Sequence, residues 1–465
     1  MTERLSASDM SSLLAERGPI HVHVGGTAIF DGKPPKQEEF LAHVGKRLNL
    51  IPRFRQRIVD VPTGIANPVW ADDSGFDLGW HVRRVALPKP GDEATLRELV
   101  GWIMSEPLDF KRPLWQLYLI EGLGGKRFAA LSKTHHALVD GVSAVDVGAA
   151  ILDPDPKGTE ISTPEGAWDP QEPRADRLLM DALRWRASSP ARAAGSAATQ
   201  AVRNALSPIE TPRRIVSTAR AFYDLTAGAP NVPKLAINQE IGRDRRIAFA
   251  ETTLERLNDA RRHGDATVND VILSVCTGAL RRFLVQRGDE VPSEIVALVP
   301  MSVRKPGDEH ELGNRIATLM VRLPLGETDP ARRLAKIHRE TTRVKNSEQA
   351  TAASLVIEAA GFTPPTVNRI LAGAMSRPLG WNLVISNVPG PQMPIYLLGR
   401  RLNAIHPYVP LSPQGHGLTI GVLSYDGRIF FGLVGDRDLL PDLDRLAVLL
   451  EYSLEDQLAA AYEAG

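Results

Sequence analysis

The sequence predicts a mixed α/β fold in two strand-and-helix halves separated by a helical connector, and three observations predict it. Strand and helix patterns alternate up to about residue 153. The texture then changes, with prolines at 154, 156, 164, 170 and 173 followed by an Ala/Arg-rich run. From Asp244 the alternation returns and continues to the final helix. The expected division is 1–153, 154–243 and 244–465, and a chain of 465 residues is long enough for two or three separate cores.

In the first part, 21–24 and 76–87 read as strands, and 36–48 and 94–105 as helices, from the period of their apolar residues. Segments 117–120 and 128–133 flank Gly122-Leu123-Gly124-Gly125, which reads as a hairpin turn. The second of these strands delivers His135 and His136 at its end, and a helix is expected to open near Ser143. In the middle part, residues 174–220 hold nine arginines, no lysine and three acidic residues. Leu178, Ala182 and Trp185 share one helical face there, as do Ile215, Ala219 and Phe222. Such a segment either packs as a connector against one half or lies on anionic lipid headgroups.

In the last part, Thr267 and Asp270 mark a helix start, with Thr as N-cap and a carboxylate in the first turn. That helix shows apolar Ile272, Val275, Ala279 and Phe283. Strands are expected at 294–301, 315–324, 383–386, 418–424 and 429–434. Helices are expected at 330–348, at 352–374 with an interruption at Pro364-Pro365, and from about Asp442.

Bulk properties exclude several classes. The 55 basic and 55 acidic residues cancel, so no global field favours nucleic acid. A single cysteine, Cys276, rules out an internal disulfide and any multi-cysteine metal site, and its apolar neighbours indicate a buried thiol. The stretches 378–399 and 402–425 carry no Asp, Glu, Lys or Arg, yet each is broken by prolines, so neither can keep a membrane-spanning helix hydrogen-bonded. The first residues show no signal-peptide run. A cytoplasmic protein, at most peripheral on a membrane, is expected.

The chemistry concentrates in His135-His136-Ala137-Leu138-Val139-Asp140-Gly141. Histidine is the side chain best suited to taking a proton near neutral pH. A doubled His with Asp four residues after the second and Gly closing the run arises by chance in roughly one chain in a thousand. The bland alternative is a helix-start aspartate preceded by two incidental histidines. Other chemistries lack their signatures: there is no Gly-x-Ser-x-Gly elbow, no P-loop and no dinucleotide glycine motif after a strand. His21 and His23 alternate along a strand without further ligands nearby in sequence and are expected to be structural. No metal site and no cofactor are expected.

Around the heptad stand Pro107-Leu108-Asp109 and Pro113-Leu114-Trp115 upstream. Val268-Asn269-Asp270-Val271, Pro300-Met301-Ser302-Val303-Arg304, Leu312-Gly313-Asn314-Arg315 and Ser386-Asn387-Val388-Pro389-Gly390-Pro391 follow downstream. In this order, from about Leu5 to Val448, the set resembles the bacterial wax ester synthase/diacylglycerol acyltransferase family of the CoA-dependent acyltransferase superfamily. The resemblance implies two chloramphenicol acetyltransferase-like domains and acyl transfer from acyl-CoA, a substrate rather than a cofactor, to diacylglycerol. A long-chain fatty alcohol is the alternative acceptor. A catalytically silent protein coating storage lipid is a further alternative, against which the intact heptad argues; an amide-forming condensation domain would need carrier or adenylation modules.

The same resemblance assigns roles. His136 would be the general base, with His135 orienting it or packing beneath it. Asp140 and Gly141 would hold the loop, Asp140 through an arginine for which Arg55 is preferred, with Arg57 and Arg304 behind it. Asn269 and Asp270 match a family motif, although helix capping alone explains Asp270. Ser386 and Asn387 precede a Val-Pro-Gly-Pro turn that suits a tunnel wall but is equally an ordinary tight turn, and Trp115 is substrate-binding or core. Partners would be acyl-CoA, the acceptor lipid, and a membrane or lipid-droplet surface.

Overall fold

The computed structural model describes residues 2–16, 18, 20–138, 151–161, 168–185, 232–262, 264–302, 316–346, 380–412 and 415–463. In chain order the first half contains β1 (Glu3–Arg4), α1 (Ala7–Ala15), β2 (His23–Asp31), α2 (Gln37–Arg47), β3 (Gln56–Val59) and β4 (Val69–Asp72). It continues with a one-turn α3 (Leu78–His81), β5 (Val82–Ala86), α4 (Glu93–Ser105), β6 (Trp115–Leu123) and β7 (Arg127–His135). The second half contains β8 (Arg245–Thr253), α5 (Leu254–Asp259), α6 (Val268–Arg287), β9 (Ile295–Ser302), β10 (Ile316–Leu323) and α7 (Pro330–Lys345). After these come β11 (Leu383–Pro389), β12 (Tyr396–Leu397), β13 (Arg400–Tyr408), β14 (Leu418–Tyr425), β15 (Arg428–Asp436) and α8 (Leu443–Glu463).

The strands form two six-stranded sheets, ordered β12-β13-β2-β7-β6-β5 and β10-β9-β11-β14-β15-β8, with a small β1-β4-β3 sheet beside the first. β6 and β7 pair antiparallel across the expected Gly-rich turn, with Trp115 opposite Thr134. The strand expected over 76–87 is split. Asp77 accepts the Gly79 N–H at 2.8 Å and caps α3, so extended backbone begins only at Val82. Thr267 caps α6 reciprocally with Asp270, as the sequence indicated, and α6 ends at Gly288 in the left-handed conformation.

Several strands were not named from the sequence, among them β3, β4 and β8, and β13 is the most consequential. β13 belongs to the second half of the chain, yet it pairs antiparallel with β2 in the first sheet, Leu402 opposite Phe30 and Tyr408 opposite Gly25. Its alternation is regular, with Leu402, Ala404, His406 and Tyr408 buried, but Pro407 disguises it, because proline inside a strand is tolerated only at a sheet edge or bulge. Here β13 crosses over the second sheet. A Cβ on Gly432 would stand 1.9 Å from the Pro407 carbonyl oxygen, and one on Gly421 2.8 Å from it, so these glycines are what permits the crossing. His406 completes the seam, its Nδ1 3.0 Å from the Phe431 carbonyl and its ring 4.0 Å from that of Phe249.

Two main cores result. One packs α6, α7 and α8 on the second sheet. The other fills the first sheet and its helices and extends through β13 to Phe430 and Val434. Polar contacts reinforce the join: Asp444 of α8 receives Arg97 of α4 at 2.9 Å and Arg246 of β8 at 2.7 Å. The helix at 175–185 sets Leu178 and Ala182 against Val61, Ala66 and Val69 near the small sheet. Arg4 lies over the ring of Trp185 at 5.0 Å. This part of the Arg-rich segment is thus packed as a connector. Its remainder, including Arg213, Arg214 and Phe222, lies outside the described residues, as do the helices expected near Ser143 and over 352–374.

Candidate active site

The His-His turn is built where β7 runs out. His135 donates its backbone N–H to the Leu114 carbonyl and His136 donates to that of Val22, each at 2.9 Å, while Leu138 N–H closes the turn onto the His135 carbonyl. The turn is therefore clamped between the entry to β2 and the Pro113-Leu114-Trp115 segment.

The two histidines diverge. His135 is fully buried, and its Nδ1 accepts the Ala137 N–H at 3.0 Å. A neutral ring must then carry its proton on Nε2. That nitrogen faces Glu16 Oε2 at 2.8 Å, a close charge contact whose angle departs from a good hydrogen bond. With its one lone pair taken by the Ala137 N–H, a neutral His135 has no basic nitrogen to offer a substrate. His136 is half-buried, and its Nδ1 stands 3.4 Å from Ser12 Oγ on α1. With a proton on Nδ1 directed at Ser12, the basic lone pair of His136 is on Nε2.

Beneath the turn lies a charged cluster. Burial works to raise the Glu16 pKa, but hydrogen bonds from His135 and His21 outweigh it and hold the carboxyl well below the usual range. Burial, with the Lys133 charge adding to it, drives His23 far below an ordinary histidine. Lys133, itself fully buried, donates to the carbonyls of Ile103, at 2.7 Å, and Glu106, and burial brings its pKa down to about 7.

The wall that presents Ser12 and Glu16 also bounds an apolar cavity of about 520 Å³, lined by Met10, Leu13, Leu14, Ile58, Val61 and Phe110 among others. The Phe110 ring meets His135 edge-on, 5.7 Å between centroids. An apolar space of this size, lined by α1 and by the Phe110 ring that touches His135, can hold a hydrocarbon chain.

The other expected site residues fall into separate groups. Asn387 of β11 donates to Asn269 Oδ1 at 3.2 Å, so two segments far apart in sequence meet here, and Asn269 Nδ2 is a buried donor without a partner. Ser386 precedes Asn387 on β11, opposite Gly421. Asp270 is fully buried and serves its own helix: it caps Thr267 and accepts from Thr341 at 2.7 Å and from His338 at 2.9 Å. Trp115 is 2% exposed, donates Nε1–H to the Phe54 carbonyl at 2.7 Å and stacks on His81 at 4.6 Å, so its surroundings are those of a core residue. Arg55 hydrogen-bonds Asn49 and lies over the Trp168 ring at 5.0 Å, while Arg57 pairs with Glu172 at 3.2 Å. Asp140, Gly141 and Arg304 lie outside the described residues. Sequence reasoning missed Glu16, Ser12 and Lys133. The only local hint was a glutamate five residues ahead of His21-Val22-His23.

The family model described as the wax ester synthase/diacylglycerol acyltransferase catalytic domain matches residues 5–272, and that of the family's C-terminal domain matches 312–457. A Mycobacterium bovis protein named as a diacylglycerol O-acyltransferase is 33% identical over 461 residues, covering 97% of each chain. A Mycobacterium tuberculosis protein so named is 34% identical over 493 residues, with 98% of this chain and 97% of that one covered. Among solved structures, the wax ester synthase/diacylglycerol acyltransferase of Marinobacter aquaeolei superposes with a TM-score of 0.68 at 26% identity over 99% of this chain and all of the other. A starter condensation domain of rhizomide synthetase, at 14% identity, TM-score 0.56 and coverage of 99% and 94%, shares the fold. The alternation of sheets and helices read from the sequence is thus the two-sheet architecture of these acyltransferases, and the chain belongs to the wax ester synthase/diacylglycerol acyltransferase family.

Proposed function

We propose that this protein transfers a long-chain acyl group from acyl-CoA to diacylglycerol, with His136 as the general base. The observation that carries the reading is the contrast within the pair: His135 is fully buried with its Nδ1 taken by the Ala137 N–H, whereas His136 is half-buried at the end of the same turn. Nε2 of His136 takes the acceptor hydroxyl proton as the oxygen attacks the thioester carbonyl carbon. The tetrahedral adduct collapses, the C–S bond breaks, and the departing CoA sulfur receives the proton from His136. Triacylglycerol and CoA leave, and no cofactor is consumed.

The cavity beside α1 supports a fatty substrate, since each methylene moved there from water contributes about 0.8 kcal/mol. The relatives named as diacylglycerol O-acyltransferases favour diacylglycerol over a fatty alcohol as acceptor. Among the described residues no helix is long and apolar enough to cross a membrane, so substrate would be taken at a lipid surface from outside.

The test is purified protein with labelled palmitoyl-CoA and, in parallel, diacylglycerol and a series of fatty alcohols, the neutral lipids being separated afterwards. Labelled triacylglycerol, lost in His136→Ala, is the expected product. Wax ester alone would move the acceptor to fatty alcohol, and transfer by folded His136→Ala at the wild-type rate would remove the general base.

A further inference from the structure

The backbone that supports the catalytic turn carries His21-Val22-His23, and alternate residues of an extended segment project to one side. The two rings stack in parallel, 5.2 Å between centroids and 6° between planes. Glu16, at the C-terminal cap of α1, reaches the same point from a different element, with Oε1 3.4 Å from His21 Nδ1. One donor atom from each of the three residues lies within 4.8 Å of the others. His23 is 2% exposed and neither of its ring nitrogens has a hydrogen-bond partner; His21 Nε2 is buried without one as well. Buried nitrogens in this state call for an explanation, because desolvating them is unfavourable unless something takes up the lone pair.

We propose that Glu16, His21 and His23 bind a divalent transition-metal ion of the zinc class. Two imidazoles and a carboxylate are a donor set for zinc with a fourth position open, whereas magnesium and calcium take oxygen donors throughout. Donor atoms in a tetrahedral zinc site stand roughly 3.3 Å apart. The Glu16–His21 edge already has that length, and the ion draws in His23.

The ion acts as a clasp. Val22, between the two ligands, donates its N–H to Glu16 at 3.3 Å and accepts that of His136 at 2.9 Å. Fixing Glu16 to His21 and His23 therefore ties α1 to the backbone on which the catalytic turn rests, and holds Glu16 against His135.

The experiment uses the full chain, purified without a polyhistidine tag, stripped with chelator and titrated with Co²⁺ and Zn²⁺. One Co²⁺ per chain with the visible bands of a tetrahedral site, and a melting temperature raised by Zn²⁺, are expected. His21→Ala/His23→Ala should lose the bands and the thermal response. His21→Phe, which retains the stacked ring, tests ligand loss with the packing kept, and should do the same. Absence of both bands and thermal response in the wild type overturns the proposal, whatever the variants do. Undiminished uptake by a folded double variant or by His21→Phe places the ion elsewhere and also overturns it.

Discussion

Replacing each histidine of the pair by alanine should separate stability from catalysis. In His135→Ala, the buried Ala137 N–H loses its acceptor and the half-buried Glu16 carboxylate loses a close neighbour. An unsatisfied buried amide costs about 1–3 kcal/mol and the space left by a buried ring adds to it, so a loss of about 3–5 kcal/mol is expected. In His136→Ala, a half-buried ring is removed, and the loss of stability should be smaller than in His135→Ala. Turnover should fall by about 10²–10⁴, the usual contribution of a general base. The assay pairs thermal melting with CoA release per folded molecule. His135→Ala should melt early while its folded fraction still turns over, and His136→Ala should melt near the wild type and be silent. The reverse pattern, a stable but inactive His135→Ala with an active His136→Ala, would refute the assignment of roles.

Arg47 and Asp153 form a buried ion pair at 2.5 Å that ties α2 to the segment after the catalytic region, so Arg47→Met alone should destabilise by about 3–5 kcal/mol. Arg47→Met with Asp153→Leu should recover most of that in a denaturant titration. Lys133 titrates near 7 in the folded chain against 10.5 when unfolded, so the unfolded state binds more protons between these values and stability should rise with pH across that window. Lys133→Met should flatten this rise relative to wild type in melting scans from about pH 6.5 to 10. Gly432→Ala would force a Cβ to 1.9 Å from the Pro407 carbonyl and should lower the melting temperature sharply, whereas Gly264→Ala meets nothing within 4 Å and should leave it nearly unchanged. Leu13→Trp narrows the cavity beside α1 and should shift acyl-CoA preference toward shorter chains; an unchanged chain-length profile would place the fatty chain elsewhere.

What could be read from the sequence was what neighbouring residues determine. The β6–β7 hairpin, the Thr267 cap and the position of His136 at the end of β7 all follow from patterns within a dozen residues. Asp270 is the clearest case, since its capping role was legible and its burial between Thr341 and His338 only strengthens it. What escaped was what the sheets bring together. β13 joins a strand nearly four hundred positions upstream, roughly the span from Tyr408 back to Gly25, and such pairing leaves no local trace beyond an alternation that Pro407 interrupts. Asn269 and Asn387 meet only because β11 runs beside the start of α6. Glu16 escaped for the same reason. On its own it is a polar residue at the end of a short helix, and His21-Val22-His23 is a strand entry with no third ligand in view. Only the fold sets that carboxylate against His135 and next to His21, and it does so through the turn that presents His136. The groups set around the His-His turn are thus gathered from positions that carry no motif of their own.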